Sequence, residues 1–184
     1  HFFDVDNGYD AFSLDNTRQT LSDEPGRDTL QTHAGRLKWS SQGTVNLSAQ
    51  LSVADTDTEY AYDEDWAYVG IAPALEYSSF DTYLRDRDMQ SLEIRADSDY
   101  ESWRWTAGGY LKHERETLTR QYTYLESDFN SALTVDTGAV FGQLDVNLTD
   151  TVTAFLGGRL EQRKADYADS EKVNSDLTDN LWSG

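Results

Sequence analysis

A chain of 184 residues suits one domain or a piece of a larger one, and its formal charge is −19, from 34 acidic against 15 basic residues. That charge argues against a nucleic-acid partner and against an anionic membrane surface, since both need clustered Lys and Arg. No apolar run is long enough for a transmembrane helix, and the lack of cysteine removes disulfides and thiolate metal sites.

Residues 1–27 lack a clean period and hold Asn7-Gly8 and Pro25-Gly26, which predicts a loop. A first strand is expected over about 29–40, with Gly35, Leu37 and Trp39 on one face, followed by the short turn Ser40-Ser41-Gln42-Gly43. A second runs from Thr44 to about Tyr62 and sets Val45, Leu47, Ala49, Leu51 and Val53 at alternate positions. An acidic, aromatic segment with Asp63-Glu64-Asp65-Trp66 and Pro73 reads as a long loop to about Leu84. A third strand covers about 87–98, and Asp99-Tyr100-Glu101 turns the chain. The fourth, from Ser102 to about Leu118, alternates Trp103, Trp105, Ala107, Gly109 and Leu111. A Tyr-rich loop to Leu133 precedes a fifth strand over about 135–148, with Val140, Gly142, Leu144, Val146 and Leu148 in phase. Thr149-Asp150 is a tight turn, and the sixth strand, Thr151 to about Tyr167, alternates Val152, Ala154, Leu156, Gly158 and Leu160. Residues 168–184 read as a loop.

Period two means β-strand. The expected fold is therefore all-β, an antiparallel up-and-down meander of about six strands arranged as three hairpins over about 29–167. Uncharged faces some nine residues long fit a tilted strand crossing a bilayer, and they equally fit a soluble antiparallel sheet with one buried face. The connections alternate short and long, so all short turns fall on one edge. Bacterial outer-membrane barrels share this asymmetry, with short periplasmic turns and long extracellular loops. Trp39, Trp103 and Trp105 lie near the short turns, where a barrel places its aromatic girdle.

The run Ala139-Val140-Phe141-Gly142-Gln143-Leu144-Asp145, then Leu148-Thr149-Asp150 and Leu156-Gly157-Gly158-Arg159-Leu160-Glu161, resembles the barrel of TonB-dependent outer-membrane receptors. Phe12-Ser13-Leu14-Asp15-Asn16, the stretch Asp23 to Asp28, Tyr62-Asp63-Glu64-Asp65-Trp66, Ser91-Leu92-Glu93-Ile94-Arg95 and Trp105-Thr106-Ala107-Gly108-Gly109-Tyr110 extend the resemblance over nearly the whole chain. It implies a middle section of a large barrel of about 22 strands, spanning residues 1–184, without the plug domain such receptors carry. It further implies a place in the bacterial outer membrane and a role in uptake of a scarce nutrient, commonly a ferric siderophore. The partners would be outer-membrane lipid, the plug, and the TonB system acting through the rest of the protein. No enzymatic activity and no cofactor are expected. The start without methionine and the stop after Leu181-Trp182 read as an excerpt of a longer chain.

The residues themselves leave alternatives open. Asp55/Asp57 and Asp63/Glu64/Asp65 could form a hydrolase pair or a calcium site, and a solvated acidic face explains them better. Asp4-Val5-Asp6-Asn7-Gly8 echoes a calcium loop without keeping its order. His1, His33 and His113 stand apart, with no metalloprotease or nucleophile-elbow motif near them. Asn46-Leu47-Ser48 and Asn147-Leu148-Thr149 are sequons inside strand patterns. The pairs Gly108-Gly109 and Gly157-Gly158 admit either close approach by another backbone or a bulge. Glu93, Arg95, Arg104, Arg159 and Glu161 share the non-apolar phase and would face the lumen and plug of a barrel. Tyr60, Tyr62, Trp66, Tyr68, Tyr77, Tyr122 and Tyr124 in the long loops could stack on a siderophore, a sugar or a vitamin ring. The rival function is a soluble all-β binding module, for example carbohydrate-binding; an acidic β-rich hydrolase is a third.

Overall fold

Alternating side chains and short polar turns give an all-β chain whose strands pair with their sequence neighbours. A computed structural model describes residues 1–8, 27–65, 69–70, 73 and 77–184. Eight strands form one antiparallel sheet in the order β1 to β8: β1 Phe2–Asp6, β2 Arg27–Ser41, β3 Asn46–Asp63, β4 Phe80–Asp99, β5 Trp103–Tyr122, β6 Phe129–Thr149, β7 Val152–Asp169 and β8 Asn174–Ser183. The expected meander is present, with two more strands than the alternation predicts. β1 lies in the segment read as an N-terminal loop and β8 in the segment read as a C-terminal loop. Both lacked a signal for physical reasons: β1 has five residues, and β8 mixes polar and apolar residues on both faces. β4 and β6 also begin earlier than expected. The start of β4 carries Asp81, Tyr83 and Arg85 on one face, and on the other Phe80, Thr82 and Leu84 give way to Asp86 and Asp88, so neither face keeps a long apolar run.

The register assigns the faces. Trp105 pairs with Leu144 and Leu144 with Leu156, while Leu47 reaches the same face through Ala96, Ala107, Gly142 and Gly158. The apolar positions of β2 to β7 therefore form one continuous face, as the alternation predicts. No second layer covers it among the described residues. Leu111 is 61% exposed, Leu156 76% and Trp182 82%, and among the described residues the buried hydrophobics are Ala61, Val135 and Ala139. The total accessible surface is 13137 Å², against roughly 9000 Å² expected for a folded monomer of this mass. The sheet is open, and β1 pairs only with Thr29 to His33, leaving the lower half of β2 unpaired at the edge.

The upper border of the apolar band, on the long-loop side, descends like a staircase. Its last apolar or glycine residues are Gly35 and Val53 on one rung of paired residues, then Leu92, Leu111 and Gly138 on the next, then Leu160 and Trp182 on the one below. The lower border steps the same way, from Trp39 through Leu47 and Ala96 to the rung of Trp103, Val146 and Ala154, below which Leu148 and Val152 flank the tight turn. Four to six residues of shift over five or six strand spacings incline the band by roughly 25–40° to the rungs. Beyond its upper border the same face turns acidic: Asp55 lies opposite Asp88, and Asp57 opposite Asp86. The carboxyl of Asp57 is held above its ordinary range, chiefly by its hydrogen bond with Asp86.

Candidate functional site

The polar face carries the functional side chains. At mid-height, Arg95, Gly108, Phe141 and Arg159 share one rung, and Glu93, Tyr110, Ala139 and Glu161 the adjacent one. The five residues assigned to the non-apolar phase thus lie on one face, Arg104 included. Their partners come from the sheet itself. Arg104 bonds Asp145 at 2.7 Å, Arg159 bonds Glu161 at 2.6 Å, and Arg95 lies 3.9 Å from Glu93. Arg95 also covers the Phe141 ring and Arg159 the Tyr110 ring, each 5.7 Å from the centroid.

Gly108 makes no bulge, because the ladder runs through it without a break. A Cβ there would meet the Phe141 ring and come 2.7 Å from the Ile94 carbonyl oxygen. Glycine is required because an aromatic ring from the paired strand lies over the backbone. The register shift of the sheet falls instead at Asn147/Thr149, beside the tight turn.

At the long-loop end, two rungs build a denser cluster. One carries Asp28, Tyr60, Tyr83, Arg120 and Phe129, and the next Tyr62, Asp81 and Tyr122. Asp81 is 1% exposed and is the centre of the cluster. It accepts hydrogen bonds from Arg120 Nε at 3.0 Å and Nη2 at 2.7 Å, from the Tyr83 hydroxyl at 3.1 Å and from the Tyr62 hydroxyl at 3.4 Å. Arg120 is stacked between the rings of Tyr83 and Tyr122, 5.3 and 5.2 Å away. Tyr60 packs tilted against Tyr62 and Tyr83, and Tyr124 meets Tyr122 edge-on. Tyr122 donates to Glu64 at 2.7 Å, and the Ser79 amide donates to Asp65, which ties the residues just after β3 to those just before β4.

The electrostatics follow from these bonds. Its hydrogen bonds to Asp81 push the Arg120 guanidinium above its already high ordinary value. Burial, then the Asp81 carboxylate, raise the hydroxyls of Tyr62 and Tyr83. The hydrogen bond to Glu64 raises Tyr122 to about 12.

Of the aromatic residues singled out in the sequence, Tyr60, Tyr62, Tyr122 and Tyr124 come together here. Tyr77 is half exposed, and Trp66 and Tyr68 lie outside the described residues. Sequence reasoning missed Asp81, Tyr83 and Arg120, which it left in loops; their one signal was a charged residue alternating with tyrosine. Asp4-Val5-Asp6-Asn7-Gly8 forms β1 and an Asx turn, with the Gly8 amide on Asp6 and Gly8 at φ +77°. Among the described residues no three His, Asp or Glu side chains gather to hold a metal ion.

Among the described residues, the fold and site define a single-layer, all-β antiparallel sheet with one apolar and one charged, aromatic face. No protein-family model matches the chain, and no curated protein matches it either.

Proposed function

We propose that this chain is a wall segment of a large transmembrane β-barrel of the TonB-dependent receptor type, in the bacterial outer membrane, serving uptake of a scarce nutrient such as a ferric siderophore. The observation that carries this reading is the oblique apolar band on a face that nothing among the described residues covers. Barrel strands are tilted by about 35–45°, so a membrane plane cuts them obliquely and the lipid-facing band must step from strand to strand. On β5 the band runs from Trp103 to Leu111, about 27 Å along the strand. At a ~40° tilt that is roughly 21 Å of height, near the ~25 Å of a barrel's apolar belt. Lipid would meet the apolar face and the polar face would line the lumen. Glu93, Arg95, Arg104, Arg159 and Glu161 would then stand toward a plug supplied, with the TonB coupling, by the rest of the protein. The tyrosine cluster would lie at the outer mouth. A soluble carbohydrate-binding module would use the same tyrosines, but it would need a second layer over Leu111, Leu144 and Leu156.

Fractionation of cells making the full-length protein tests this. The protein is expected in the outer membrane, with Tyr124→Cys labelled by an impermeant maleimide added outside and Gly43→Cys protected. Recovery in the soluble fraction, or equal labelling at both positions, overturns the reading.

A further inference from the structure

We draw no further inference here: the strongest candidate, the cleft on the polar face of β6 and β7 lined by Phe141, Phe155, Gly157, Arg95 and Arg104, lies beside the stretch of β7 that β8 leaves unpaired, and nothing among the described residues shows what covers it.

Discussion

Asp81 shows how one residue organises the upper end of the sheet. A carboxylate at 1% exposure is stable there because a guanidinium and two hydroxyls satisfy its oxygens. The two halves of the pair are not equivalent. Arg120→Ala leaves a buried carboxylate with only hydroxyl partners, whereas Asp81→Asn leaves a neutral acceptor beside a partly exposed guanidinium. Arg120→Ala should cost about 2–4 kcal/mol and Asp81→Asn about 1–2, read by denaturant unfolding of the protein in micelles. The reverse order would contradict this role for Asp81. Tyr122 gives a second check. Its neutral form is favoured by the bond to Glu64, so that contribution is complete below the ordinary tyrosine value of about 10 and fades as pH rises through about 12. In a phenolate absorbance titration the most alkaline step should vanish in Tyr122→Phe and shift down in Glu64→Gln. A single step shared by all tyrosines near the ordinary value would count against the bond.

At the scale of the strand, Gly108 and Leu156 test the two faces separately. Gly108→Val drives a branched side chain into the Phe141 ring and the Ile94 carbonyl, at a cost of about 1–3 kcal/mol. Phe141→Ala in the same protein should recover part of that loss, because the ring is what the new side chain meets; strictly additive effects would place the clash elsewhere. Leu156 lies in the middle of the band on β7. Leu156→Arg should cost about 2–4 kcal/mol for folding into a bilayer, and Gln162→Arg, beyond the border, about 0–1. Equal costs would reject the lipid-facing assignment. Strands with an apolar alternate face were legible from sequence, including the shared face of Leu47, Trp105, Leu144 and Leu156. The upper half of β4, the ends of β5 and β6, and all of β8 were not. There neither face keeps an apolar alternation, and pairing with a neighbouring strand, rather than burial, holds the extended backbone. The same reason hid Asp81 and Arg120, whose partners are 39 residues apart in sequence. Tyr60, Tyr62, Tyr122 and Tyr124 were legible because aromatic residues in polar surroundings stand out by composition.

Across the whole molecule, the border of the apolar band crosses the rungs instead of following one. Rungs are set by hydrogen-bond register, and nothing in register makes the border step down at β4 and again at β7. In the proposed barrel wall, a bilayer cutting tilted strands would. Nitroxide labels placed singly on the intact protein in bilayers measure this, with depth read from collisions with oxygen against a polar relaxing agent. Val53, Leu111 and Leu160 lie on three different rungs and should report one depth. His113 and Lys164 share a rung with Val53 through the ladder and should lie outside the membrane. Depths that follow the rungs instead, or water contact equal at all five positions, would contradict a membrane wall.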